Sequence, residues 1–410
     1  CVTSRPRLLL KSILCDLQPR YDGRHWPGHP ASAVRHHREA GLHAASWLRH
    51  AGRPHDAHPS ALDDTLMKPL DRLRILELGQ FCLFKRTLPD QTTLVFTGQN
   101  LAAVQGVDHV AFGMRMIPWL RRGLSSGDWD VVVCHSPVRP VWDVRHGVAQ
   151  GIRRLARRLA QVRTLGTHLL HGRITCPLVM LDFNDEPDIP RHAFPWLERC
   201  TAYFKRELPG DVAKAFLDAS PEMDCHRATL ASDVFRRNAH KLMPISAAVP
   251  ESTAHVAAGV ARDKNTDIFF AGSINSSVRR RGLQVLASLD AQGYRVDICE
   301  GGLPRHEYLA RCAAAWLTWS PEGYGWECHR HYEASLCRSV PVMNYPGVLR
   351  HRPLVHGVHG FFYPLEGDGL RDVIVSALKD TPRLERMADE ACLHVSAHHT
   401  HPRIVELSLI

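Results

Sequence analysis

The stretch that decides the reading is Ser320–Pro346, SPEGYGWECHRHYEASLCRSVPVMNYP. Trp316–Trp319 just before it is a short apolar run of strand type, and Val340–Asn344 inside it is another. Between the two lie the glycines Gly323 and Gly325 and then a predicted helix from Trp326 to Cys337. Strand, glycine bend, helix, strand is the unit from which parallel sheets covered by helices are built.

Working outward, the same rhythm recurs on both sides. Downstream of about residue 250 the expected order is a strand at Asp267–Ser273, a helix at Val278–Asp290, a strand at Tyr294–Cys299 and a helix at Arg305–Ala315. Upstream, strands are expected at Leu73–Leu78, Thr93–Thr97, Asp130–Cys134, Pro177–Asp182 and Ala202–Phe204. The apolar segment Leu242–Val249 closes that half, and the small, polar stretch Pro250–Asn265 reads as a linker. The fold class is therefore α/β, with two Rossmann-like doubly wound domains over 67–250 and 251–410, and C-terminal helices from Gly369 onward. Residues 1–66, rich in Arg, His, Pro and Ala, show no sustained period. They read as an irregular extension, outside the native protein if that protein starts at Met67, the first methionine.

Such sheets bind ligands beyond the carboxyl ends of their strands, so the loops after Phe270, Cys299 and Trp319 are the places to look. In the bend, Gly323 and Gly325 permit close backbone approach, with Tyr324 between them, and the start of the following helix offers unpaired N–H groups to a phosphate. Arg330, about one turn into that helix, suits a diphosphate, and Glu333 on the same face suits ribose hydroxyls. Trp326 and His331 stand beside them.

This stretch resembles the donor-binding motif of GT-B glycosyltransferases, the S-P-x-G-Y-G-x-x-x-x-R-x-x-E-A and V-P-V pattern of exostosin-like and related bacterial enzymes. The resemblance implies that Glu333 binds the donor ribose and Arg330 the diphosphate. It also implies a second part of the site at Gly272 and Ser273 with one of Arg279, Arg280 and Arg281, and a base-binding role for Glu300–Gly302. Many such enzymes carry two glutamates eight positions apart, whereas here Glu322 and Glu333 are eleven apart, so no retaining mechanism is read from them. The glycine expected before V-P-V is replaced by Arg338 or Ser339.

In the first half, the acidic run Leu181–Asp188 lies directly beyond a strand end. A carboxylate there suits deprotonation of an acceptor hydroxyl, Asp185 first and Glu186 next. Lys205, in the run Tyr203–Glu207, is expected to face the cleft. The function expected is transfer of a sugar from a nucleotide-diphosphate sugar to a hydroxyl on a glycan or lipid-linked acceptor, in assembly of a bacterial polysaccharide or glycoconjugate. An epimerase or polyol-phosphate transferase on the same scaffold, or a non-catalytic relative that binds glycan or nucleotide, are the alternatives.

Composition narrows the partners. The net charge of +9 is scattered as arginine along helices, without the basic stripe and interleaved aromatics of a nucleic-acid binder, so no nucleic-acid partner is expected. No apolar run approaches the about 20 residues of a spanning helix. A basic helix is expected at about Val148–Val162, and a cytoplasmic protein, with peripheral membrane association through basic helices such as Gly151–Arg163 as the charge-based option. Twelve cysteines without a C-x-x-C pair read as free thiols, and neither His329–His331 nor His398–His401 has metal-ligand spacing, so no metal and no permanently bound cofactor is expected.

Overall fold

Ile75–Gly79, Val131–His135 and Leu178–Asp182 are buried at every position, as strands must be when helices cover both faces of a parallel sheet. The computed structural model describes residues 72–98, 101–136, 170–218 and 229–409, all within one unit, Pro69–Ile410. Its strands are β1 (Ile75–Gly79), β2 (Thr92–Phe96), β3 (Val110–Ala111), β4 (Val131–His135), β5 (Leu178–Asp182), β6 (Ala202–Lys205), β7 (Leu217–Asp218), β8 (Thr229–Leu230), β9 (Leu242–Pro244), β10 (Thr266–Gly272), β11 (Val296–Glu300), β12 (Ala315–Trp319), β13 (Val340–Asn344) and β14 (Phe361–Tyr363). Its α-helices are α1 (Phe84–Thr87), α2 (Ile117–Ser126), α3 (Phe194–Arg199), α4 (Ser232–Asn238), α5 (Glu251–Ala258), α6 (Ser277–Asp290), α7 (Arg305–Ala314), α8 (His329–Leu336), α9 (Gly369–Ala377), α10 (Thr381–His398) and α11 (His401–Leu409).

Two parallel sheets result. The first has seven strands in the order β3-β2-β1-β4-β5-β6-β9, the second five in the order β11-β10-β12-β13-β14, and β7 and β8 form a small antiparallel pair. In each sheet the strand order reverses once, beside β1 and β4 in the first and beside β10 and β12 in the second. Alternation along β10 separates two cores. Ile268 and Phe270 pack with Leu286, Trp319 and Ile374 on one face, whereas Phe269 and Ala271 pack with Tyr308, Tyr332 and Val395 on the other.

Two expectations are corrected. The stretch read as a linker carries α5, whose Thr253 and Ala257 are buried; its small side chains let a helix lie close against α8 where hydrophobic periodicity is faint. The helix after the glycine bend starts at His329, not Trp326, because the Trp326 and Glu327 N–H groups bond elsewhere. At its far end Arg338 takes the left-handed conformation, φ +53°, and the Ser339 N–H bonds Ala334 O at 3.0 Å. The turn that glycine usually makes is thus made with arginine. The basic segment Val148–Val162 and residues 1–66 lie outside the described residues. No helix among the described residues is long and apolar enough to cross a membrane.

Candidate functional site

The carboxyl ends of β10 and β12 lie side by side where the second sheet reverses its order, with β11 and β13 on their flanks. The loops that converge there are Gly272–Ser273, Glu300–Gly302 and the bend Ser320–Cys328. Gly301 N–H donates to Gly272 O at 3.1 Å, which holds the first two together.

Two guanidiniums bridge the loops. Arg279, in the first turn of α6 and 4% exposed, donates through Nε to Glu322 O at 2.9 Å and through Nη1 to Ser273 O at 2.7 Å. Arg330, in the first turn of α8, donates to Ala271 O at 3.2 Å and Pro321 O at 3.4 Å, with its guanidinium 5.8 Å from the Phe270 ring centre. A Cβ on Gly272 would stand 2.6 Å from Arg330 Nη1, and one on Gly323 3.0 Å from Arg279 Nη2, so both glycines leave room for a cation. Burial, and after it the like charge of Arg330, push Arg279 below the usual guanidinium value. Among the described residues neither arginine is ion-paired with a carboxylate, although Arg279 is buried and Arg330 half-buried. Two adjacent guanidiniums, one buried and one half-buried, with no ion-paired carboxylate among the described residues are a costly arrangement that an anion between them relieves.

Glu333, 5% exposed on α8, pairs with Arg305 of α7 at 2.9 Å, and Arg305 also donates to Thr253 Oγ1 at 2.5 Å. Glu322 is oriented by Asn344, which accepts its N–H and donates to its carboxylate, each at 2.9 Å. The exposed Glu300 and Ser273 lie at the rims of their loops, and Tyr324 at the tip of the bend is 82% exposed.

Four of the expected groups sit away from the converging loops' open side. Arg281 points to solvent, since only Arg279 of the three arginines falls on the inward face of α6. His331, 1% exposed, donates from Nε2 to Trp326 O at 2.9 Å and meets Ser320 Oγ through Nδ1 at 2.8 Å, so it braces the bend from inside. Trp326, 7% exposed, donates its indole N–H to Asn344 O and packs beneath the bend rather than in the crevice. The N–H groups of Trp326 and Glu327, expected to face a phosphate, are held by the carboxylate of Glu207 from the first half, at 2.9 and 2.8 Å.

In the first half, Asp185 and Glu186 are exposed beyond β5, and Asp185 pairs with Arg206. Arg206 Nε lies 3.8 Å from Glu207 Oε1, which links Asp185 to the bend through two side chains. Lys205 does not face the cleft: it is fully buried and pairs with Asp182 at 3.1 Å, because a cation at that position has a carboxylate on the neighbouring strand. Sequence reasoning missed Glu207, Arg305 and Asn344. The run Tyr203–Glu207, charged residues directly beyond an apolar strand, was the signal for the first. No group of three or more His, Cys, Asp or Glu among the described residues is placed to hold a metal ion.

No family model and no curated protein sequence matches the chain. Among solved structures, a glycosyltransferase from Rickettsia africae superposes with a TM-score of 0.53 at 10% identity, over 82% of this chain and 97% of that one. HepE of Anabaena in complex with UDP matches with a TM-score of 0.47 at 14% identity, over 82% and 98%. Sucrose-phosphate synthase from Thermosynechococcus elongatus matches with 0.45 at 10%, over 82% and 97%. The first of these shares the fold, and the two parallel sheets with their interleaved helices have the two-domain α/β architecture of the GT-B glycosyltransferases.

Proposed function

We propose that the chain is a glycosyltransferase that moves a sugar from a nucleotide-diphosphate sugar to a hydroxyl of a glycan or lipid-linked glycan. The observation that carries this reading is the pair Arg279 and Arg330, two neighbouring guanidiniums at the carboxyl ends of β10 and β12 with no carboxylate partner among the described residues. A diphosphate between them gains charge-assisted hydrogen bonds in a partly dry site, and the negative charge that grows on the departing diphosphate strengthens them as the sugar leaves. Glu333 accepts from ribose hydroxyls in this scheme, exchanging its bond to Arg305. The loop Glu300–Gly302 lies beside Gly272, where a base would rest. Asp185 and Glu186 are the proposed bases for the acceptor hydroxyl, and the chain of side chains from Asp185 through Arg206 and Glu207 to the bend supports their nearness to the donor.

The test is binding and turnover in parallel. Calorimetric titration of the full chain with UDP, GDP, CDP and ADP is expected to find one that binds. Arg279→Gln and Arg330→Gln should each weaken it about 10- to 100-fold, the effect of one charge-assisted hydrogen-bonding partner of roughly 1.5–3 kcal/mol. Cleavage of the corresponding diphosphate sugar should depend on added acceptor. Diphosphate affinity unchanged in both arginine variants contradicts the assignment.

A further inference from the structure

One buried contact between the two halves is a carboxylate set against a glycine. Glu207 follows β6 of the first sheet and is 3% exposed. Its Oε2 accepts from the Trp326 N–H at 2.9 Å and its Oε1 from the Glu327 N–H at 2.8 Å. A Cβ on Gly325 would overlap Glu207 Oε1, so glycine at 325 is what admits the carboxylate. The bend itself is closed by the Gly323 N–H on Gly325 O at 2.8 Å. Both guanidiniums of the proposed site hang on the same bend, Arg279 through Glu322 O and Arg330 through Pro321 O.

We propose that Glu207 is a positioning residue of the diphosphate site argued above, on which this inference rests. Reaching from the first half with two hydrogen bonds, it fixes the bend, and through the bend it fixes Arg279 and Arg330 in the arrangement that receives the diphosphate. A carboxylate suits the task because it is an acceptor at both oxygens, one for each N–H. A glutamine in its place accepts one N–H and presents an NH2 group to the other, donor against donor. Aspartate keeps both acceptors but is one methylene short.

The role is separable from general stability. The halves also join through Gly210 N–H on Gly347 O at 3.0 Å, Leu349 N–H on Leu208 O at 2.7 Å, and the bonds of Val249 with His399 and His401. None of these involves the Glu207 side chain, so its replacement leaves the halves connected and loosens the bend.

The experiment compares the full-length wild type with Glu207→Gln, Glu207→Asp and Gly325→Ala at pH 8. Each is titrated with UDP, GDP, CDP and ADP, and amide hydrogen exchange is followed over 323–327. The expected result is faster exchange in the bend and a Kd raised tenfold or more in Glu207→Gln and Gly325→Ala, with a smaller rise in Glu207→Asp. The double variant of Glu207→Gln and Gly325→Ala should bind no more weakly than either single one, because both break the same contact; a purely structural loss would add. Wild-type affinity in Glu207→Gln, with faster exchange in the bend, overturns the role of Glu207 alone. Unchanged exchange overturns the clamp. A wild type that binds none of the four diphosphates overturns the diphosphate site beneath the proposal. If Glu207→Gln fails to fold, Glu207→Asp and Gly325→Ala decide by the same readings.

Discussion

Glu207 carries a second consequence that depends on its charge. Burial pushes its carboxyl from 4.5 up to about 7, against the opposing pull of Arg206 and the two N–H donors. A carboxyl raised in the folded chain holds its proton more tightly there than in the unfolded chain. Its contribution to stability is complete below the unfolded value of 4.5 and is lost as pH rises through about 7. The shift from 4.5 to about 7 corresponds to about 3 kcal/mol. Urea denaturation of wild type beside Glu207→Gln should therefore show the wild type losing relative stability of that order between pH 4.5 and 7, then a level difference above pH 8. A difference independent of pH would contradict the burial of this charge. Glu77 is the counterpart in the first sheet: it is fully buried at the heart of β1, accepts from the N–H groups of Leu83, Phe84 and Lys85, and meets His135 Nε2 at 3.0 Å. Glu207 and Glu77 each use a buried carboxylate to satisfy the backbone where a strand gives way to a turn or helix.

Among the elements, α6 and β12 meet most closely at Gly282, where a Cβ would overlap the ring of Trp319. Trp319 is fully buried, packs against Phe270 and donates its indole N–H to Tyr363 Oη at 3.0 Å, so the ring cannot yield cheaply. Gly282→Ala should destabilise the fold by about 1–3 kcal/mol through overpacking. Because Ser320 follows Trp319 directly, diphosphate affinity should fall as well; thermal melting and titration check the two, and an unchanged melting temperature counts against the packing described. Elements of this kind were legible in the sequence. The strands β10, β12 and β13 are short, continuous apolar runs, and their ends fall within two residues of the reading. What was not legible has a common physical cause. The acceptor for the bend's N–H groups stands 119 and 120 residues away in the chain, beyond any local periodicity. Arg279, Arg280 and Arg281 are alike as letters, and only the rotation of α6 against its sheet turns the first inward and leaves the others in water. Likewise α5 is too small-sided and polar to announce itself, although packing against α8 makes it a helix.

At the scale of the whole molecule, the chain crosses between its halves a second time at its end. The long helix α10 buries Leu384, Met387 and Val395 against the second sheet, whereas α11 places Ile404 and Val405 in the first sheet's core with Ile75, Phe84, Val131 and Phe204. The crossing is pinned at Val249, which donates to His399 O at 2.9 Å and accepts from the His401 N–H at 3.0 Å. The first sheet's core thus takes Ile404 and Val405 from α11, and the second sheet's core takes Ala247 and Val249 from the end of the first half, which predicts one cooperative unfolding transition for the wild type. Replacing Ile404, which is fully buried, by alanine should cost about 2–5 kcal/mol and lower that single transition as a whole. Ending the chain at Thr400 removes the shared element altogether, and calorimetry should then resolve two transitions, the lower belonging to the uncovered first sheet. A nucleoside diphosphate that binds the second sheet raises the transition of that half by mass action and leaves the other where it was. A single transition persisting in the shortened chain would mean that Glu207 and the loop bonds at Leu208 and Gly210 suffice to couple the halves, and that α11 is only a cover.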